Sequence, residues 1–150
     1  MKIGDKIPEV LGMDQNGNTI KASDFAGKKL IIYFYPKDNT PGCTAEACSL
    51  SLGYTALKKA GYALLGVSKD SAASHQKFIA KHSLPFPLIA DTDTALNQAF
   101  GVWREKKMAG RTYMGTVRTT FIINEQGVVV HIIDKVNTKD SATQILELNL

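Results

Sequence analysis

The sequence predicts an α/β fold, a central mixed β-sheet flanked by helices and preceded by an N-terminal β-hairpin. Three observations carry this. Residues 30–35 (LIIYFY) are β-branched, aromatic and uncharged, the mark of a buried central strand. Apolar residues at Ala47, Leu50, Tyr54 and Leu57 then follow helical spacing and lead to a second buried run at 62–67, so the three segments form a βαβ unit with parallel strands. Finally, residues 117–123 and 128–133 are strand-like and joined by the turn Asn124 to Gly127, an antiparallel pair ahead of a last helical segment.

The elements follow in order. Residues 1–26 are polar and turn-rich, with the turn signal Asp14-Gln-Asn-Gly-Asn18 between short strand-like pieces. They read as a hairpin packed on the edge of the main sheet, ending in one helical turn closed by Gly27. After strand 30–35 a helix is expected over 41–60, with Lys58 and Lys59 in its last turn and Gly61 as its C-terminal cap. Asp70 or Ser71 caps a helix to about Lys81 with Phe78 and Ile79 inward; 85–90 is a short strand, and 92–100 a helix closed by Gly101. Residues 104–111 read as a charged loop and 139–148 as the final helix, with Ala142, Ile145 and Leu146 on one side. A βαβ half followed, after an insertion, by a ββα half is the thioredoxin-like order. Repeats, linkers and low-complexity stretches are absent, so residues 1–150 are expected to form a single domain.

Composition narrows the function. The chain has 150 residues, 44% of them hydrophobic and 21% charged, which suits one globular domain with a real core. The net charge of +4 is mild and its eighteen basic residues are scattered, so no nucleic-acid surface is expected. No run approaches the roughly 18–20 apolar residues of a membrane span, and the start of the chain has no apolar leader core. A cytoplasmic protein is therefore expected. Two cysteines are too few for a disulfide framework, and in that compartment a pair is more often catalytic than structural. His75, His82 and His131 are far apart in sequence and offer no zinc spacing; each reads as a surface or satisfied histidine.

Both cysteines lie at the junction between the first strand and the helix. Pro36 ends strand pairing because it has no N–H to donate. Thr40 is a favourable N-cap and Pro41 a favourable first helical residue, which places Cys43 in the first turn. Unpaired N–H groups and the positive end of the helix dipole there favour a thiolate. Glu46, one turn on, suits the same dipole. Cys43 and Cys48 are five residues apart, so on an intact helix their Cα atoms sit about 9 Å apart, whereas a disulfide needs less than about 7 Å. Bonding between them requires the helix to unwind. Arg118 stands at the start of an apolar strand, where a charge calls for a reason; one is a guanidinium beside the thiolate, the other an exposed strand end.

Pro36-x-x-x-Thr40-x-x-Cys43 resembles the active-site pattern of the peroxiredoxins, and the string from Phe34 to Cys48 resembles that of their bacterioferritin-comigratory-protein (PrxQ) subfamily. The segment Tyr113 to Phe121, with Arg118, is similar to the one that carries that family's active-site arginine; Gly101-Val102-Trp103 and Lys106-Lys107-Met108 also resemble the family. The likeness runs from about Gly4 to Leu146. It implies a thiol-dependent peroxidase for hydrogen peroxide and organic hydroperoxides, with Cys43 as the peroxidatic and Cys48 as the resolving cysteine. It further implies peroxide positioning by Thr40, shielding of the sulfur by Pro36, and supporting roles for Glu46 and Arg118. Trp103 reads as packing. The resemblance implies no cofactor: electrons come from thioredoxin or a similar dithiol reductase, and the protein is expected to be a monomer.

Two other readings compete, a general thiol–disulfide oxidoreductase on the same fold and a non-enzymatic redox switch or holdase. The oxidoreductase usually spaces its cysteines as C-x-x-C, unlike Cys43 and Cys48. The chain departs from the subfamily at Ser51-Leu52-Gly53, where an arginine–aspartate pair is usual, and at Arg104 and Ala109. Glycine inside a helix costs on the order of 1 kcal/mol against alanine, so Gly53 is expected to weaken the helix and favour unwinding. Leu52 is expected as an exposed apolar spot.

Overall fold

All residues, 1–150, are described by the structure, a computed structural model. Its centre is a five-stranded sheet of β3 (Lys29–Phe34), β4 (Tyr62–Ser68), β5 (Leu88–Ala90), β8 (Thr119–Ile123) and β9 (Val129–Ile133), in the order β5-β4-β3-β8-β9. β3 pairs in parallel with β4 and β4 with β5, while β8 runs antiparallel to both β3 and β9. The mixed α/β sheet flanked by helices is thus the expected thioredoxin-like arrangement.

The uncharged run of β3 takes its central place because both its faces are buried. Ile31, Tyr33 and Tyr35 enter one core with Leu50, Leu57, Phe78 and Ile145 from the helices on that side. Leu30, Ile32 and Phe34 enter the other with Leu96, Phe100 and Phe121. This alternation is the two-residue period of a strand sandwiched between layers. The N-terminal hairpin, β1 (Val10–Met13) with β2 (Thr19–Lys21), sits where expected, through an antiparallel bridge of Asp14 to Ile89 on edge strand β5.

The helices differ from expectation in instructive ways. The single helix expected over 41–60 is two: α1 (Pro41–Leu52) and α2 (Tyr54–Lys59), divided at Gly53. Gly53 is there for space. A Cβ built on it would lie 2.3 Å from the Cβ of Ala142 on α5 (Ser141–Leu146), so the chain passes α5 too closely for any side chain. The expected weakness at Gly53 appears as the division of the helix there, and the approach of Ala142 adds a steric reason for glycine. Leu52 beside it is 90% exposed, as expected. Helix α3 (Ala72–His82) is capped by Ser71, whose hydroxyl accepts from the Ser74 N–H.

Shorter revisions follow from local pairing. Helix α4 spans only Ala95–Ala99 and α5 only Ser141–Leu146, and strand β5 starts at Leu88, after the prolines. The charged stretch expected as a loop is a β-hairpin, β6 (Trp103–Met108) and β7 (Arg111–Thr116), turned at Ala109-Gly110, both with positive φ. Its alternation was masked because both faces of the hairpin are largely solvated. β7 absorbs residues up to 116, so Val117 and Arg118 fall between β7 and β8. No helix is long and apolar enough to cross a membrane.

Candidate active site

The end of β3 and the start of α1 place the nucleophile. Tyr35 and Pro36 follow the strand, and the segment 36–40 turns back through Asn39, whose φ is 63°, into Pro41 at the first helical position. Cys43 falls in the first turn and is buried. Thr40 occupies the cap position with extended backbone, but its hydroxyl does not cap the helix. It donates instead to the Lys37 carbonyl at 2.9 Å, which leaves its oxygen lone pairs to face other groups. This corrects the capping expectation. Pro36 is half-buried at the head of the same segment.

Arg118 reaches this turn from the start of the neighbouring strand. It directly precedes β8, the antiparallel neighbour of β3, so the strand pairing brings it to the end of β3 where the cysteine lies. Its Nη2 donates to Cys43 Sγ at 3.1 Å, and its Nη1 donates to Glu46 Oε1 at 2.7 Å. The guanidinium lies against Gly42, where a built Cβ would approach Nη2 to 3.2 Å. Of the two alternatives for Arg118, the guanidinium beside the sulfur is therefore the one the fold adopts, with the side chain half-buried. Its charge complements a thiolate and the negative charge that develops on oxygens in a displacement at sulfur.

Glu46, on the inner face of α1, is 0% exposed. Burial pushes its carboxyl up to about 7, against the opposing pull of the Arg118 charge and hydrogen bond. Burial also pushes Arg118 down, but Glu46 and Cys43 more than offset it and hold the guanidinium above its ordinary value. Glu46 Oε2, the Tyr33 hydroxyl and the Thr120 hydroxyl are buried without partners. Tyr33 and Thr120 are cross-strand neighbours on β3 and β8. Desolvation, reinforced by Glu46, keeps the Tyr33 phenol protonated well beyond its usual range.

Cys48 lies elsewhere on α1. Both cysteines are free thiols. Cys48 is half-buried and its sulfur meets His82 Nδ1 of α3 at 3.9 Å, while the His82 ring packs edge-on against Phe78 at 5.1 Å. The structure thus brings Cys43, Arg118, Glu46 and Gly42 together, with Pro36 and Thr40 on the adjoining segment, and sets Cys48 against a different helix. Trp103 sits on β6 with Lys69 over its ring at 5.7 Å, as packing. Sequence reasoning did not place His82 beside Cys48; His75 is a satisfied histidine, one of the two readings allowed for it, and its bond to Asp38 was not foreseen. A signal existed: His75, Phe78 and His82 fall on one face of a helix, where two histidines share a stripe with a core aromatic.

A thioredoxin-like sheet with a buried cysteine at a helix start, hydrogen-bonded by an arginine just ahead of the neighbouring strand, defines a thiol-dependent peroxidase. The chain matches the AhpC/TSA family over residues 3–132 and belongs to that family, among its peroxiredoxins. It is 42% identical over 147 residues to Peroxiredoxin Bcp of Bacillus subtilis (strain 168), covering 98% of this chain and 94% of that protein. It is 39% identical over 146 residues to Peroxiredoxin Bcp of Escherichia coli (strain K12), covering 97% and 94%. Among solved structures it superposes on a cysteine-to-serine variant of Xylella fastidiosa PrxQ with a TM-score of 0.91, at 34% identity and covering 99% and 95% of the two chains. The enzyme reading prevails over the binding or switch alternative.

Proposed function

We propose that the protein runs a two-cysteine peroxidase cycle in which Cys43 is the peroxidatic and Cys48 the resolving residue. The observation that carries it is the Arg118 Nη2 to Cys43 Sγ contact of 3.1 Å, with the same guanidinium held by buried Glu46. The Cys43 thiolate attacks one oxygen of a hydroperoxide. The S–O bond forms as the O–O bond breaks, the other oxygen leaves as water or an alcohol after taking a proton, and Cys43 is left as a sulfenic acid. Arg118 stabilises the charge passing from sulfur to oxygen, Thr40 positions the peroxide, and Pro36 shields the sulfur. Cys48 then attacks the Cys43 sulfur and water leaves, giving the Cys43–Cys48 disulfide. A dithiol of thioredoxin type reduces it by exchange and carries away the oxidising equivalents.

In this reading electrons come from that dithiol, with no metal, haem or flavin in the cycle, and the enzyme works as a cytoplasmic monomer. Substrates include organic hydroperoxides as well as hydrogen peroxide. A Xanthomonas campestris bacterioferritin comigratory protein described for its alkyl peroxide reduction activity, 37% identical with a TM-score of 0.85, supports that range. The test is intact mass after one equivalent of hydrogen peroxide, without added thiol, on wild type and Cys48→Ser. The expected result is loss of two hydrogens in the wild type and gain of oxygen in the variant. Oxygen gain in both would remove Cys48 from the cycle; no change in either would remove Cys43.

A further inference from the structure

Asp38 lies within the segment between β3 and α1, yet the peroxidase cycle leaves it and His75 without a task. Both are buried, Asp38 at 4% exposure and His75 at 0%. They come from elements 37 residues apart and meet through His75 Nδ1 and Asp38 Oδ2 at 2.8 Å. The other ring nitrogen, Nε2, faces the Ile89 carbonyl of β5 at 2.9 Å. The Asp38 carboxylate also accepts from the Tyr35 hydroxyl at 2.6 Å and the Ser74 hydroxyl at 2.8 Å. The Asp38 N–H in turn donates to Asp70 Oδ2 at 2.8 Å, and the Ser68 hydroxyl donates to the same oxygen at 2.6 Å.

Hydrogen bonds hold the pair in place. Burial pushes the Asp38 carboxyl up, but hydrogen bonds from His75, Tyr35 and Ser74 outweigh it and hold the group below the ordinary carboxylate range. An ionised carboxylate only accepts, and a backbone carbonyl only accepts. Each His75 nitrogen thus faces an acceptor, Asp38 at Nδ1 and the Ile89 carbonyl at Nε2. Asp38, Asp70 and His75 offer oxygens and a nitrogen within 4.8 Å of one another, a spacing that also suits a cation. Here those atoms are already committed to hydrogen bonds with Tyr35, Ser74, Ser68, Ile89 and the Asp38 N–H, so the cluster reads as an internal network.

The location gives it a function. The segment 36–40 carries Pro36 and Thr40 and leads into Cys43, and Thr40 is fastened to Lys37 beside Asp38. The network ties this segment at Asp38 to α3, to the end of β4 and to β5. We propose that His75 is a positioning residue for peroxide reduction: paired with Asp38, it holds segment 36–40 so that Thr40 and Pro36 face Cys43. This rests on the peroxidase reading of Cys43 and adds a residue to it. Removing His75 would leave the buried Asp38 carboxylate without one of its partners, so the segment is expected to loosen when His75 is replaced.

Two substitutions separate positioning from bulk. In His75→Asn the side-chain amide nitrogen falls near the place of Nδ1 and still donates to Asp38, while the bond to Ile89 is lost. In His75→Gln the amide reaches toward Ile89 and the bond to Asp38 is lost. The bimolecular rate constant with hydrogen peroxide is read by stopped flow, and amide exchange over 36–44 by mass spectrometry, at a temperature where both variants are folded by circular dichroism. The expected result is a rate at least tenfold lower and faster exchange in His75→Gln, with most of the rate and protection retained in His75→Asn. A wild-type rate and wild-type exchange in His75→Gln would overturn the proposal. Equal losses in both variants would also overturn it, since general destabilisation does not distinguish the two nitrogens. Amide exchange requires no turnover, so it tests the positioning role even if the Cys43 chemistry were to fail in the wild type.

Discussion

The two ends of α1 are held in different ways. At the Cys43 end the contacts are directional and charged: Arg118 bonds both Cys43 and Glu46, and Asp38 is tied to His75. At the far end the contacts are steric. Leu52 projects into solvent, Gly53 presses on Ala142, and the chain resumes in the short α2. Directional bonds fix the angle and distance of a reacting atom, which close packing by itself does not. Packing at the far end sets only where the helix must stop. The difference places precision at the end that meets peroxide and leaves Cys48, between the two, to a contact with His82.

That contrast can be broken at either end. The largest effect is expected from Arg118→Ala, which removes the cation from the sulfur: the peroxide rate constant should fall about 10²–10³-fold, as for loss of one preorganised donor at a reacting centre. Stopped-flow measurement under single-turnover conditions checks this. A fall of less than threefold would mean that the sulfur does not depend on the guanidinium.

Glu46→Gln tests the charge at the same end. The Glu46 carboxyl rises on folding from its ordinary value of 4.5 to about 7. A raised value means the folded state binds the proton more tightly, so the stabilisation is complete below about 4.5 and is lost as pH rises to about 7. At 1.36 kcal/mol per pKa unit, the wild type should lose on the order of 3 kcal/mol relative to Glu46→Gln across that window. Urea unfolding of both proteins at the two ends of the window measures it; a constant difference would show that Glu46 does not titrate there.

At the steric end Gly53→Ala should destabilise by about 1–3 kcal/mol, the usual range for overpacking. Helix propensity alone would make the same change stabilising by up to about 1 kcal/mol. The sign of the shift in the urea midpoint therefore decides between a helix-weakening glycine and a space-limited one.

Much of this was legible in the residues. The strand 30–35, the parallel return at 62–67 and the antiparallel pair near the C-terminus follow from uninterrupted apolar runs, which survive any context because both faces must be buried. Cys43 was legible from a strand–turn–helix junction, and Arg118 from a charge placed where an apolar strand begins. What escaped depends on contacts between distant segments. The role of Gly53 is set by Ala142, the hydrogen bond of His75 by Asp38, and the depth of Glu46 by the sheet beneath α1; none has a local signature. The β6–β7 hairpin escaped for the opposite reason, because a largely solvated ribbon of lysine and arginine lacks the alternation that marks a half-buried strand.

A helix fixed at both ends is also a stored length of rope. The twelve residues of α1 span about 18 Å when coiled and up to about 40 Å when drawn out. The upstream tie at Asp38 and the downstream stop at Gly53 lie outside that stretch. Paying out the coil releases roughly 20 Å of slack between two anchors that stay where they are. That length is more than two sulfurs facing different sides of a cylinder would need to meet between the two moorings.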